Sequence, residues 1–267
     1  MTVRLSALYA YPLKSGRAVP LNAAEVVRTG LRDDRRWMVV DRRGRFRSQR
    51  EDPRLGRITP TLHAEQLRLS APGLPDLDLP RPPTPAREVA VTVWNDPVTA
   101  WSCGRSADEW IGRVLGEGHR LVVFPPDGAR RVDPAYAHAD DRVAFADGYP
   151  FHLIGSASLD ELNRQLDAPL EMVRFRPNLV ASGAAPYAED GWTRIRIGEV
   201  AFRVAKPCAR CVVPTLHPDT LEAGPEPLRT LNRTRKRGGN VLFGQNLLHD
   251  GVGTLRVGDD VTVLDTP

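Results

Sequence analysis

Short runs of alternating or β-branched apolar residues, each ended by a turn signal, recur along the whole chain. The clearest predicted strands are Val3 to Tyr9, Trp37 to Val40, Val89 to Trp94, Arg120 to Phe124, Phe151 to Ile154 and Val200 to Ala205. A period of two places apolar side chains on one face of a sheet. The chain is therefore expected to be mostly β, of the α+β class, with a few short helices.

The predicted helices are short and begin at polar capping patterns. Ser106 opens a Ser-x-x-Glu capping box, and Ser158 is expected to cap a second helix in the same way. A third helix is predicted from Pro227 to Arg235. The frequent prolines between Ala71 and Arg87 suit neither a helix nor a central strand, so this segment is expected to be a loop or linker.

The composition is that of a globular protein with a basic excess. The chain has 267 residues, a formal net charge of +4 and a pI near 9.2, and its length allows one large or two small domains. Its arginines are spread along the sequence without interleaved aromatic residues, which favours a local anion site over nucleic-acid binding. No apolar run approaches the length of a membrane helix or signal segment, and the few cysteines suit a reducing compartment. We therefore expect a cytoplasmic protein without a membrane partner.

Two of the three cysteines lie in one short stretch, Lys206-Pro207-Cys208-Ala209-Arg210-Cys211. A thiolate is a soft metal ligand, and neighbouring cations favour the ionised form of a thiol. The stretch therefore suits a metal or an anionic cofactor.

Three other interpretations of the two thiols remain open at this point. A structural zinc site usually needs four ligands, and although His217 could supply a third, the chain has no second cysteine pair. A thioredoxin-like motif should open a helix, whereas a β-branched, proline-broken segment follows Cys211. Plain buried cysteines are the third alternative, which the spacing alone does not exclude.

Six motifs follow one another in a fixed order and together resemble one family. They are Tyr11-Pro12-Leu13-Lys14-Ser15, Arg35-Arg36-Trp37, Phe175-Arg176-Pro177-Asn178, Tyr187-Ala188-Glu189-Asp190, Cys208-Ala209-Arg210-Cys211 and Leu242-Phe243-Gly244-Gln245-Asn246. The set resembles the MOSC family (molybdenum cofactor sulfurase C-terminal domain), and within it the amidoxime-reducing type. The resemblance covers nearly the whole chain, and six ordered motifs are far more specific than any one of them.

The resemblance implies two domains with a cofactor between them. An N-terminal β-rich MOSC domain, residues 1–118, is expected to pack on a MOSC β-barrel, residues 119–267, with molybdopterin-bound molybdenum between the two. The matching position makes Cys211 the metal ligand and the catalytic residue. The matching cofactor-binding positions are Lys14, Ser15, Arg35, Arg176, Asn178 and Arg210. Lysine and arginine donors that stay charged are what an anionic cofactor requires.

Three further cofactor-binding positions depart from the pattern of the family. Gly148 and Tyr149 stand where close relatives have small hydroxyl residues, and Ala209 stands where they have serine. Backbone N–H groups can replace the hydroxyl donors lost there. Asn246 occupies the place of a tyrosine, which leaves open the relatives' substrate preference for this chain but not the metal site.

The resemblance also implies an oxidoreductase that reduces N-hydroxylated or N-oxygenated small molecules. In that reaction the metal cycles by two electrons, and the substrate oxygen leaves as water. A second interpretation is a carrier of molybdenum cofactor, or a protein that transfers sulfur through a reactive cysteine. A third is a β-rich interaction domain without a cofactor.

The electrons for such a reduction are expected from a separate protein. Common iron–sulfur clusters need four cysteine ligands, whereas this chain has three cysteines in all. No Gly-rich dinucleotide fingerprint follows a strand, so no bound nicotinamide or flavin is indicated. We therefore expect a reductase or small electron carrier as partner, and no nucleic acid.

Overall fold

Strands make up most of the regular structure, as the alternating sequence pattern predicts. The computed structural model describes residues 2–128 and 130–266. In chain order the strands are β1 (Arg4–Ala10), β2 (Val19–Leu21), β3 (Ala23–Val27), β4 (Gly30–Leu31), β5 (Trp37–Val40), β6 (Thr59–Leu62), β7 (Gln66–Ser70), β8 (Leu77–Pro80), β9 (Glu88–Val93), β10 (Asp96–Ser102), β11 (Arg120–Val123), β12 (Phe151–Gly155), β13 (Leu179–Ser182), β14 (Arg194–Ile197), β15 (Val200–Ala209), β16 (Lys236–Arg237), β17 (Asn240–His249), β18 (Gly253–Arg256) and β19 (Val261–Asp265). Within the same residues the α-helices are α1 (Arg105–Leu115), α2 (Ser156–Asn163) and α3 (Leu228–Thr234). The mostly β, α+β class is confirmed.

The largest sheet brings the N-terminal strands to the second half of the chain. Its order is β19-β14-β15-β17-β12-β13-β1-β2, with β16 paired to one end of β17. Strands β12 and β13 run parallel, whereas β1 runs antiparallel to β13. A small sheet of order β18-β3-β4 makes a second connection of this kind. The remaining two sheets, β5-β11-β10-β9 and β6-β7-β8, lie within the first half. The division at 118/119 stays a prediction, and strands β1 and β3 pair across it with β13 and β18.

Apolar residues of the sheets form separate hydrophobic cores, one of which belongs to the large sheet. Leu5 and Leu8 of β1 belong to the core of the large sheet together with Phe151 and Phe202. These two leucines are three residues apart, and both face inward because the β1–β13 register shifts between Leu5 and Ala7. A bulge of this kind turns the following side chain to the other face.

Three local predictions from the sequence are wrong. The first helix begins after Gly104 without a side-chain cap, so the capping box proposed at Ser106 does not form. The second begins after Gly155, and its Ser158 is buried inside the helix, where its hydroxyl donates to Glu189 Oε2 at 2.9 Å. The proline-rich segment 71–87 contains strand β8, which pairs antiparallel with β7 at an outer position of its sheet. Proline is tolerated on outer strands because no ladder donor is needed there.

One buried arginine fixes the loop of residues 144–149, which lines the cleft described below. Arg130 is 8% exposed and donates to the carbonyls of Ala144, Ala146 and Asp147, while its Nε donates to Asp96. A guanidinium with five fixed donors suits this clustering of carbonyls. These hydrogen bonds hold the loop on the side of Arg130, and its other side faces the site described below.

Close packing of β17 on β12 requires a glycine at position 244. Gly244 has a φ of +78°, and a Cβ there would lie 2.5 Å from Nε2 of His152. No other residue type fits both the backbone conformation and the space. The same strand pairs β15 on its other side, which places the Cys208–Cys211 stretch beside β17. No helix of the described residues is long and apolar enough to cross a membrane.

Candidate functional site

A cleft of about 160 Å³ lies where residues 14–15 and 146–149 face the end of β15. Every predicted site residue except Asn178 lines it, namely Lys14, Ser15, Arg35, Gly148, Tyr149, Arg176, Ala209, Arg210, Cys211 and Asn246. Asn178 is 1% exposed and lies behind the wall, where its side-chain oxygen accepts from Arg35 at 2.9 Å. The fold thus brings together residues that are up to 232 positions apart in the sequence, from Lys14 to Asn246. Their individual roles remain predictions.

Lys14, Asp147 and Arg50 form a charge network on one wall of the cleft. The Lys14 ammonium, which is 4% exposed, donates to the carbonyl of Phe145 at 2.7 Å and to Asp147 Oδ1 at 2.6 Å. Arg50 donates to the other oxygen of the same carboxylate at 2.9 Å. Burial lowers the pKa of Lys14, and Asp147 offsets part of this effect. Burial acts to raise the pKa of Asp147, but Lys14 and Arg50 outweigh it and hold that pKa well below its usual range.

Arg50 also connects this network to the predicted metal ligand. Both Arg50 and Cys211 line the cleft. Burial alone would lower the pKa of Arg50, yet Asp147 and Cys211 together raise it. The charge of Arg50 would therefore offset negative charge added beside Cys211.

Two guanidiniums from different halves of the chain pack against the Tyr11 ring. The guanidinium carbon Cζ of Arg35 lies 4.3 Å from the ring centroid, and Cζ of Arg176 lies 4.2 Å from it. Arg35 donates to Asp34 at 2.7 Å and to the carbonyl of Arg176 at 3.2 Å, while Arg176 donates to the carbonyl of Gly16 at 2.6 Å. Burial, and then the charge of Arg35, lower the pKa of Arg176 to about 10. The cleft therefore holds two like charges close together, which a bound anion would stabilise.

Three residues of the cleft wall have left-handed backbone conformations that non-glycine residues rarely adopt. Their φ angles are 69° for Ser15, 45° for Arg35 and 56° for Arg176. Each such residue costs on the order of 1 kcal/mol and persists only where the surrounding structure imposes it. Strain of this kind clusters at binding sites, and here it directs polar side chains of both halves into one cleft.

Arg210 organises the second wall around the two cysteines. It donates to Cys208 Sγ at 3.2 Å and to the carbonyl of Phe175 at 2.8 Å, and it lies 3.3 Å from Nε2 of His152. Burial, followed by the charge of Arg210, lowers the pKa of His152 to about 3, so this histidine is neutral at ordinary pH. Both cysteines are free and only partly buried.

Three polar members of the cleft were not singled out from the sequence. Arg50 and Asp147 lie in polar stretches without a periodic signal, and His152 lies within a predicted strand and outside the six motifs. Arg174, two residues before Arg176, does not line the cleft and donates to the carbonyl of Pro214. It lines a larger adjoining groove of about 790 Å³ that shares Arg176 and Val213 with the cleft.

The donors of the cleft fit a molybdenum held by one thiolate and an anionic pterin. Its cations outnumber its carboxylates, and these cations are Lys14, Arg35, Arg50, Arg176 and Arg210. Arg210 Nε and Tyr149 Oη are buried without a hydrogen-bond partner among the described residues. Buried donors without partners are rare in native proteins and indicate a missing acceptor. A thiol that faces the same cleft supplies the soft ligand.

Comparison with known proteins places both halves of the chain in recognised domains. Residues 2–118 match the MOSC N-terminal beta barrel domain, and residues 140–262 match the MOSC domain. Mitochondrial amidoxime-reducing component 1 of Homo sapiens is 35% identical over 275 residues, which cover 96% of this chain and 82% of that protein. The same component of Mus musculus is 35% identical, with 96% and 81% covered. Component 2 of Rattus norvegicus is 34% identical, with 96% and 82% covered.

Proposed function

The chain belongs to the family of MOSC-domain proteins, and we propose that it is a molybdenum-cofactor-dependent reductase of N-hydroxylated or N-oxygenated small molecules. The observation that carries this proposal is the cleft itself, where five cations from both halves converge with the thiols of Cys208 and Cys211. Relatives named for amidoxime reduction, at 34 to 35% identity over nearly the whole chain, support the choice of substrate class. The family matches cover residues 2–118 and 140–262, so both halves of the chain support the proposal.

Each residue of the cleft has a distinct part in this proposal. Cys211 would bind the metal, while Arg35, Arg176 and Arg210 would donate to the anionic part of the cofactor. A molybdenum cofactor bound there would supply the two-electron redox chemistry that the reduction needs. Asn178 would act from behind the wall, since its oxygen holds the Arg35 guanidinium in place.

Reduction of the substrate requires both electrons and protons at the cleft. An amidoxime that gains two electrons and two protons becomes an amidine and releases its hydroxyl oxygen as water. Lys14 Nζ holds a proton on the cleft wall, in contact with Asp147 Oδ1 at 2.6 Å. This ion pair would keep a proton donor near the leaving oxygen.

Turnover assays test the proposal directly. Holo protein from a host that makes molybdenum cofactor should reduce benzamidoxime to benzamidine when a reduced viologen dye supplies electrons. NADH or NADPH alone should give no turnover. Folded, molybdenum-loaded protein that fails to reduce amidoximes, hydroxylamines and N-oxides would contradict the proposal.

A cofactor carrier or a sulfur-transfer protein is the second candidate, and the Arg210 contact to Cys208 Sγ at 3.2 Å favours it. A cation in that position stabilises a thiolate, which is the reactive form in sulfur transfer. The two candidates differ in what Cys208 does. Cys208→Ser should leave amidoxime turnover largely intact in a reductase, whereas it should abolish transfer in a protein that carries sulfur there.

A further inference from the structure

An exposed cluster of cations lies on α3 and β16, outside the cleft. Its members, named here the basic patch, are Arg229, Arg233, Lys236 and Arg237, and all four are exposed. Residues 227–240 contain no aspartate or glutamate. The four charges equal the formal net charge of the whole chain, +4. Four of the 37 lysines and arginines of the chain are thus gathered on one exposed surface.

The charges of the basic patch are largely unneutralised. Among the residues that the structure describes, only Arg229 has a carboxylate partner, Glu226 at 3.9 Å. The neighbouring Arg235 is different, because it is buried, pairs with Asp190 and lies 4.1 Å from the centroid of the Tyr187 ring. Arg235 serves the fold, whereas Arg233, Lys236 and Arg237 have no carboxylate partner among the described residues and can meet an outside partner.

Strand pairing places the basic patch close to the cysteine wall of the cleft. Lys236 of β16 lies opposite Val241 of β17, and the N–H of Arg210 donates to the carbonyl of that same Val241 at 2.8 Å. Two strand spacings therefore separate β16 from the Arg210 backbone, a distance of about 10 Å. A protein bound to the basic patch would stand beside the predicted metal ligand, Cys211.

We propose that the basic patch is the docking surface for a small acidic protein that delivers one electron at a time. The inference rests on the proposed function, because only a reductase needs such a donor. These 267 residues contain three cysteines, one fewer than a four-cysteine cluster needs, which favours an electron donor that docks on their surface. Two reduced carriers would each lose one electron, and these two electrons with two protons convert an N–OH group to N–H and water.

The chemistry of the basic patch favours an acidic protein over a nucleic acid. Residues 225–240 contain no Phe, Tyr or Trp, and single-stranded nucleic acids are bound by aromatic stacking as well as charge. An acidic protein needs only complementary charge, which raises the rate of encounter and fixes orientation. Electron carriers that exchange rapidly use weak, salt-sensitive contacts of this sort.

The test compares two double charge reversals in the loaded enzyme. Lys236→Glu/Arg237→Glu changes the basic patch, and Arg105→Glu/Arg113→Glu makes the same charge change on exposed positions of α1, a helix that lines no part of the cleft. Each protein reduces benzamidoxime with electrons from a reduced viologen dye, and then from a plant-type [2Fe–2S] ferredoxin kept reduced by its reductase. Both series are run at low and at high salt.

The expected result is a loss confined to one variant and one donor. With ferredoxin at low salt, kcat/KM of Lys236→Glu/Arg237→Glu should fall on the order of ten-fold, and the difference from wild type should shrink at high salt. Dye-driven turnover should be unchanged in both variants. No dye-driven turnover in wild type would defeat the proposed function itself.

Several results would overturn the docking proposal while the reductase function stands. These are dye-driven turnover without any ferredoxin-driven turnover in wild type, equal ferredoxin kinetics in wild type and Lys236→Glu/Arg237→Glu, or an equal loss in the α1 control. A fluorescent single-stranded oligonucleotide provides the other comparison. Salt-sensitive oligonucleotide binding that the patch variant loses, with its ferredoxin kinetics unchanged, would assign the surface to nucleic acid.

Discussion

Replacing Arg176 with asparagine should weaken cofactor binding while leaving the cofactor-free protein as stable as wild type. Arg176 is placed to donate a charge-assisted contact to the anionic cofactor, and such a contact contributes about 1.5 to 3 kcal/mol. Its loss should reduce affinity by roughly ten-fold or more. Asparagine tolerates the left-handed conformation, which Arg176 adopts with a φ of 56°. The substitution therefore removes the charge without adding backbone strain.

The stability prediction follows from opposing effects in the cofactor-free cleft. Burial and the charge of Arg35 lower the pKa of Arg176 from 12.5 to about 10, which corresponds to a cost of at most about 3 kcal/mol. Partial exposure to water reduces that cost. The bond to Gly16 and the contact with Tyr11 return about 2 kcal/mol. The unfolding free energy should therefore change by less than about 1 kcal/mol.

Metal and pterin content, measured beside urea unfolding of cofactor-free protein, separates the two effects. Arg174→Gln is the matched control, because that guanidinium donates to Pro214 outside the cleft. If Arg176→Asn contained as much molybdenum and pterin as wild type, the assignment of Arg176 to the cofactor would be refuted. The same holds if Arg174→Gln lost as much cofactor as Arg176→Asn. A fall of several kcal/mol in the unfolding free energy of Arg176→Asn would show that its role is structural.

Three further predictions concern the thiols, one histidine and one buried arginine. Cys211→Ser should abolish bound molybdenum and turnover, whereas Cys208→Ser should retain both; molybdenum analysis decides. His152 has a folded pKa of about 3 against an ordinary 6.5, so only the unfolded chain binds a proton between these values. Stability should therefore fall by about 1.4 kcal/mol per pH unit below 6.5, and urea unfolding of His152→Gln should show a flatter decline. Arg130→Leu should lower the unfolding free energy by roughly 2 to 4 kcal/mol, because three carbonyls lose their donor; an unchanged unfolding curve would contradict that structural role.

The sequence predicted those parts of the fold that depend on local pattern. Alternation located β1, β5, β9 and β11, and it also located the first part of β15. The helix starts at Ser106 and Ser158 were predicted wrongly because a capping pattern competes with tertiary contacts. Ser158, for example, is drawn into the interior by a hydrogen bond to Glu189.

The cleft could be predicted only where its residues belong to recognisable motifs. Cys211, Lys14 and Arg176 belong to such motifs. Arg50 and Asp147 do not, and their place in the cleft depends on contacts between distant parts of the chain. Asp147 reaches Lys14 across 133 residues and Arg50 across 97, and no local pattern records either pairing. The pairing of β1 with β13 is likewise a long-range event that the alternation of β1 does not specify.

The most direct test of the central claim is the molybdenum and pterin content of protein purified from a host that makes the cofactor. Wild type should contain both in stoichiometric amounts, since five cations and two thiols converge in the cleft, one of them the predicted metal ligand Cys211. Cys211→Ser should lose the metal, while Arg105→Glu/Arg113→Glu should keep both. Correctly folded wild-type protein that contains neither molybdenum nor pterin would contradict the account.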